Sequence, residues 1–245
     1  DVTRRGRFVL EIVEAIKAEC GKDYPVIVRV SGEEYEEGGV KIGDTKLLAC
    51  LLEEAGADAV HISYGTQVSP VPLSLAPACY PEGVLVHLAE QVKSVVNVPV
   101  IAVGKIKTPH FAEKVLQDGK ADLIALGRAL LADPEWPKKA EAGALADIRP
   151  CIGCNYCFQG MIDEPIGVKC TVNAAVGREE EYRIRKAEQR KKVIVVGGGP
   201  AGMEASRVAA LRGHEVMLYE KQGQLGGQLL LARIPPYKDD MEELR

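Results

Sequence analysis

Four largely apolar runs, at residues 25–30, 58–62, 98–103 and 122–126, alternate with amphipathic stretches at 8–18, 45–55, 84–95 and 109–117. Runs of this length, starting about 25 to 40 residues apart, predict parallel strands buried on both faces, each followed by a helix. Four such units make half of a (β/α)8 barrel, which needs eight. A doubly wound sheet shows the same alternation. The barrel is favoured because the strand ends carry polar and glycine residues suited to a catalytic rim: Arg29-Val30-Ser31-Gly32, Ser63-Tyr64-Gly65, Val103-Gly104-Lys105 and Leu126-Gly127-Arg128. On that reading the first four strands lie upstream of Asp1.

The second constraint is the run CIGCNYCFQGMIDEPIGVKC, in which Cys151, Cys154, Cys157 and Cys170 are spaced C-x2-C-x2-C-x12-C. Three thiolates close together wrap one side of a compact inorganic centre, and a fourth closes it from the end of a short loop. This suits a 4Fe-4S cube, whose irons each take one sulfur ligand. Four cysteines around zinc are the competing reading, although zinc ligands usually come as two CxxC pairs. A disulfide framework ranks below both.

A third signal follows a charged connector at 178–192. The run KVIVVGGGPAG sets G-x-G-x-x-G between a short apolar strand and a helix reaching about Leu211. Gly197 allows the tight turn, Gly199 admits a pyrophosphate to the backbone, and Gly202 lets helix and strand pack, with Pro200 and Ala201 opening the helix. Glu220 ends the next strand, where an acid can hydrogen-bond ribose hydroxyls. Gly226-Gly227-Gln228 forms a second glycine turn, and the combination favours FAD over NAD. The chain is therefore expected to comprise a half barrel (1–150), a cluster loop with linker (151–190) and the start of a Rossmann-like FAD-binding domain (191–245).

Net charge is −4 over 245 residues, which gives no indication of a nucleic-acid or membrane-surface partner. Cys20, Cys50 and Cys79 stand alone, Cys20 and Cys50 in apolar helical stretches where buried thiols are common. A reducing, cytoplasmic setting follows, together with a small-molecule substrate and, as an open option, a homo-oligomer. No signal peptide or long apolar run is visible. The opening at Asp1 and the stop at Arg245 suggest a piece of a longer protein, and no internal repeat beyond the strand–helix rhythm is evident.

At the rim, Gly104-Lys105 and Gly127-Arg128 pair glycine amides with cations, the elements of a phosphate cradle, although glycines at such places also simply end strands. Arg29 is costly to bury unpaired and implies either an anionic ligand or a structural ion pair. Tyr64 and Tyr80 are candidate rim donors. His61 reads as a supporting or satisfied core histidine.

The segments VIVRVSG, VIAVGKI, ADLIALGRALLADP, IRPCIGCN, CTVNAAVGRE and VVGGGPAGMEA together resemble the NADH:flavin oxidoreductases of the Old Yellow Enzyme class that carry an extra iron–sulfur and FAD module. That group includes 2-enoate reductases, dienoyl-CoA reductase, bile-acid-inducible enone reductases and trimethylamine dehydrogenase. The resemblance implies that Arg29, Lys105, Gly127 and Arg128 contact FMN, with Arg29 at the N1/C2=O edge. It implies that the four cysteines hold 4Fe-4S, and that Ala201, Glu220 and Gln228 contact FAD. It further implies NAD(P)H-dependent reduction of an activated C=C bond, in an enoate, enone or enoyl thioester. Amine dehydrogenation is the alternative activity, and a non-catalytic electron-transfer module the alternative class. Two features depart from dienoyl-CoA reductases: the loop SYGTQVSPVPLSLAPACYPEG lacks their histidine, and the cysteine spacing is closer to that of trimethylamine dehydrogenase.

Overall fold

The computed structural model describes residues 1–66, 75–162 and 167–244, with the side chains of 160–162 left aside. It contains two compact units, Asp1–Gly127 and Arg128–Arg245, described separately below. The loop missing the histidine lies partly outside the described residues.

The first unit runs α1 (Val2–Cys20), β1 (Ile27–Ser31), α2 (Ile42–Glu54), β2 (Ala59–Ser63), α3 (Val86–Lys93), β3 (Val100–Ala102), α4 (Pro109–Gln117) and β4 (Leu123–Ile124). The strands form one parallel sheet in the order β1-β2-β3-β4. Right-handed crossovers in unbroken sequential order place every helix on the same face. A doubly wound sheet would reverse direction, so this is the progression of half a barrel.

On the helix-covered face Val60, Val100, Ile62 and Ala102 are at most 1% exposed. Val13, Val26, Leu52 and Ala57 form a core cluster with Leu48, Val28 and Val30 packed against it. Gly6 keeps α1 close to α2, because a Cβ there would lie 2.8 Å from Leu48 Cδ1. The expectation of strands buried on both faces holds for β2 and β3 but not for β1 and β4. These are the sheet edges, and the face opposite the helices leaves Ile27 and Leu123 about half exposed, at 59% and 48%. Cys20 is also exposed and Cys50 only half-buried, because Cys20 ends its helix and the Cys50 thiol reaches the Val95 carbonyl at the surface.

A repeat does appear, in the hydrogen bonds beneath the strands. Asp58 donates its N–H to Val26 O (2.8 Å), accepts from Val26 N (2.6 Å) on Oδ2, and pairs with Lys17 of α1. Asp122 donates to Val100 O (2.9 Å), accepts from Val100 N (2.9 Å) on Oδ2, and pairs with Lys93 of α3. Each acid precedes a strand and clamps the start of the strand before it to the preceding helix.

The second unit opens with α5 (Arg128–Ala132), α6 (Trp136–Glu141) and a 3-10 turn at Leu145–Asp147, where the sequence suggested only a polar segment. It continues through α7 (Tyr156–Ile162), β5 (Lys192–Val196), α8 (Pro200–Leu211), β6 (Glu215–Tyr219) and α9 (Leu229–Ala232), ending in a 3-10 turn at Asp239–Leu244. The second compact unit begins at Arg128, so α5 and α6 fall with the cysteines. The reason is that α5 and α6 are tied to the cysteine segment. Buried Asp133 accepts from Arg149 N (2.8 Å), Glu135 N (3.0 Å) and Lys139 Nζ (2.5 Å), and Asn173 Nδ2 donates to Leu131 O (2.9 Å). Strands β5 and β6 pair in parallel from Lys192↔Glu215 to Val196↔Tyr219. The connector between the cysteines and β5 is exposed and held by local ion pairs such as Arg178–Glu181. Among the described residues no helix is long and apolar enough to cross a membrane.

Candidate functional site

Cys151, Cys154, Cys157 and Cys170 line one pocket together with Arg128, Leu131, Ile152, Asn155, Thr171 and Val172. Gly153 (φ 63°) and Asn155 (φ 58°) adopt left-handed backbone, which turns the chain between successive cysteines. Arg128 Nη1 donates to Asn155 Oδ1 (2.5 Å), and Cys154 Sγ lies 3.2 Å from Thr171 Oγ1. Burial pushes the Cys151 thiol up, opposed by the Gly153 amide and the Arg128 charge; burial likewise raises Cys157, opposed first by Arg128. None of the seven cysteines is disulfide-bonded. Among the described residues no three His, Cys, Asp or Glu side chains converge on a point that would hold one metal ion. The four cysteines share the lining of one pocket. Four separate thiols around one pocket fit a polynuclear centre, since each of its irons takes its own thiolate.

In the same unit the glycines of the strand–turn–helix differ in what they do. Gly202 is required by packing: a Cβ there would lie 1.9 Å from the Gly197 carbonyl oxygen. Gly197 itself has φ 103°. Gly199 faces open space, and no side chain caps α8 behind it, so the first-turn N–H groups remain available to an anion. Pro200 and Ala201 are exposed in that turn. Glu220 is already engaged by the loop, accepting from Gly198 N (2.6 Å) and Gln222 N (2.9 Å), and these backbone bonds hold its carboxyl below the usual range. A carboxylate has about four acceptor sites, which leaves room for ribose hydroxyls. The second glycine turn is joined to the first: Gly226 N donates to Gly198 O (2.8 Å), and a Cβ on Gly227 (φ 52°) would sit 2.9 Å from Gly199 Cα. Gln228 is exposed at the start of α9. These residues fit a dinucleotide.

In the first unit the strand ends gather a different set. Arg29 stands opposite His61 in register on the face that the helices do not cover, and it is exposed. The burial cost expected for it therefore does not arise, and among the described residues it makes no ion pair. His61 Nε2 is buried without a hydrogen-bond partner, contrary to the expectation of a satisfied histidine. Burial, and then the charge of Arg29, lower its pKa and keep the ring neutral. Tyr64 is 4% exposed, with its ring centroid 5.0 Å from that of Tyr35. Burial raises its pKa first, and the nearby Tyr35, Tyr80 and Glu33 add to the effect, so its hydroxyl stays protonated. Tyr35 and Glu33 had no signal in the sequence; they join the rim only because the loop after β1 folds back.

The residues expected to form a phosphate cradle stand in three different surroundings. Gly104 (φ 128°) is glycine because a Cβ would meet Leu85 at 2.6 Å, and is buried. The Lys105 ammonium donates to the carbonyls of Pro77 (3.0 Å), Ala78 (2.8 Å) and Tyr80. Arg128 lies in the cysteine pocket. Gly127 is exposed with open space where a side chain would stand. Of the predicted flavin contacts, the exposed guanidinium of Arg29 and the open backbone at Gly127 fit a ligand; the side chains of Lys105 and Arg128 have other partners.

Residues 192–242 match the FAD dependent oxidoreductase family. Over 244 residues the chain is 49% identical to an NADH oxidase of Thermoanaerobacter brockii, covering 99% of this chain and 37% of that protein. A 2-naphthoyl-CoA reductase in complex with 2-naphthoyl-CoA superposes with TM-score 0.91 at 36% identity, covering 98% of this chain and 36% of the other. Histamine dehydrogenase from Rhizobium sp. 4-9 gives TM-score 0.85 at 31% identity, covering 98% and 35%. The chain thus spans just over a third of the length of the relatives it matches. Residues 1–147, the half barrel and the segment leading to the cysteines, match the NADH:flavin oxidoreductase / NADH oxidase family, and the chain belongs to that family.

Proposed function

We propose that this chain is the central part of an NAD(P)H-dependent reductase that uses FAD, a 4Fe-4S cluster and FMN to reduce an activated C=C bond. The observation that carries the reading is a pocket lined by four cysteines, which in the sequence stand after the flavin-oxidoreductase half barrel and before the strand–turn–helix matched to FAD-dependent enzymes. When bound, the two flavins supply hydride chemistry at either end and the cluster supplies single-electron transfer between them. Cys151, Cys154, Cys157 and Cys170 would hold the cluster. The α8 N-terminus behind Gly199, with Glu220, would bind the pyrophosphate and ribose of FAD. Arg29 would offer positive charge to FMN, and Gly127 would admit it closely. The protonated hydroxyl of Tyr64 supports a hydrogen-bonding role towards a substrate carbonyl.

The name 2-naphthoyl-CoA reductase favours a conjugated acyl thioester as the substrate class. The similarity to histamine dehydrogenase supports a second reading, in which electrons leave an amine by the same route in reverse. Anaerobically purified full-length protein should contain about four irons and four sulfides per chain, with both flavins. Stopped-flow mixing should show flavin reduction by NADH or NADPH and reoxidation by an enoyl thioester. Stoichiometric zinc without iron would overturn the cluster, and flavin reduction by amines but not by nicotinamides would favour the second reading.

A further inference from the structure

Two loops at the C-terminal ends of adjacent strands are joined by a pair of side chains that cross in opposite directions. From the loop after β3, the Lys105 ammonium enters a cup of three main-chain carbonyls, those of Pro77, Ala78 and Tyr80, in the loop after β2. From the loop after β2, the Glu82 carboxylate takes the main-chain N–H groups of Lys107 and Thr108, both at 2.7 Å, and the Thr108 hydroxyl at 3.0 and 3.1 Å. Gly83 N donates to Lys105 O (3.3 Å) between them. Lys105 holds its side chain there from left-handed backbone (φ 52°), a conformation that costs energy in a lysine and needs surrounding contacts to hold it.

We propose that Lys105 and Glu82 form a reciprocal clasp that fixes the loop after β2 as one wall of the barrel mouth, making both of them positioning residues for Tyr80. Each arm joins a charged side chain to main-chain groups, so the loop's backbone path is specified directly. Tyr80 lies between the two arms in the sequence, with its carbonyl in the lysine cup. Held there, Tyr80 would be the hydroxyl-bearing residue of this wall, available to a carbonyl oxygen conjugated to the bond being reduced. This function for the clasp rests on the reading that the barrel mouth is the substrate site.

The test uses full-length holoprotein carrying Lys105→Met, Glu82→Met, Tyr80→Phe, and Lys105→Met combined with Tyr80→Phe. Hydrogen exchange across residues 75–83 should rise by roughly tenfold or more in both clasp variants, with FMN content unchanged. KM for an enoyl thioester should rise in Lys105→Met and in Tyr80→Phe while reduction of the flavin by nicotinamide keeps its rate. The combined variant should be no worse than the poorer single variant, because both changes remove one contact. Loss of FMN from Lys105→Met with wild-type exchange in the loop would make Lys105 a flavin ligand and overturn the clasp. Multiplying KM effects in the combined variant would overturn the link to Tyr80. A wild-type protein without FMN would instead defeat the flavin reading, and the exchange comparison would still decide whether the clasp exists.

Discussion

Replacing Asp133 with Asn tests how the cysteine segment is held. Its side chain is 5% exposed, and three donors converge on it: Lys139 Nζ, Arg149 N and Glu135 N. Asparagine has nearly the same shape but only one acceptor oxygen and no charge, so whichever way its amide turns at least one donor meets NH2 and the ion pair with Lys139 is lost. Glu135 is exposed and Lys139 also donates to Asp147 O (2.7 Å), so water and that carbonyl offset part of their loss. The Arg149 amide has less access to solvent. One buried donor left unsatisfied, plus the loss of a charge-assisted partner, costs about 3 kcal/mol. Local opening of residues 133–149 should then become roughly 150-fold more frequent at neutral pH, read as hydrogen exchange at the Arg149 amide in full-length protein. Burial pushes the Asp133 carboxyl up, but the Lys139 hydrogen bond and the Arg149 and Glu135 amides outweigh it, and its pKa lies below the ordinary value. With the folded pKa depressed, the stabilisation is complete above the ordinary carboxylate pKa of about 4 and is lost as pH falls through the lower folded value. The gap between wild type and Asp133→Asn should accordingly shrink in acid. A gap under tenfold at pH 7, or one unchanged at low pH, would refute the reasoning.

Gly202→Ala should abolish FAD binding while FMN and iron remain, because its Cβ would overlap the Gly197 carbonyl and push α8 off the strand; cofactor analysis after gel filtration checks this. Cys154→Ala should lower iron and sulfide together and remove the broad visible absorption beneath the flavin bands. Arg29→Ala should lower the FMN midpoint potential and slow flavin reduction, with Arg29→Lys intermediate because it keeps the charge but not the planar fork; an unchanged potential removes Arg29 from the flavin site.

Much of the first unit was legible because its signals are local. The fourth helix was expected at residues 109–117 and spans Pro109–Gln117, since Thr108 caps it, accepting from Phe111 N (3.3 Å), and Pro109 fits its first turn. The strand–turn–helix around Gly197 and Gly202 was legible for the same reason. What escaped were contacts between a side chain and a distant backbone. Lys105 looked like a spare cation beside a glycine, and only the fold shows that its acceptors lie 25 to 28 residues earlier. Glu82 and Asp133 carried no signal of their own. None of these leaves a periodic trace, because their partners are main-chain groups that any residue can supply. The exposed, helix-free face of β1 was missed because an apolar run records the tendency to be buried and not which neighbour does the burying.

The paired Asp58 and Asp122 clamps make the half barrel a tandem of two self-anchored modules, each a helix–strand–helix–strand with its own lysine and acid. Both ion pairs close inside their module, and so do both arms of the loop clasp, which run between residues 77–82 and 105–108. What joins the modules is the β2–β3 ladder, extended by Val60 N to Pro99 O, the packing of α3 against α2 and β2, the Asn97 amide held by Glu53 and the Cys50 thiol on Val95 O. A crossover between relatives placed after Thr66 and before Leu75 would cut no charged anchor described within either module. Recombination at that seam would exchange mouth loops between members of the family with each wall's charged anchors intact, provided the apolar packing of α3 against α2 and β2 is matched.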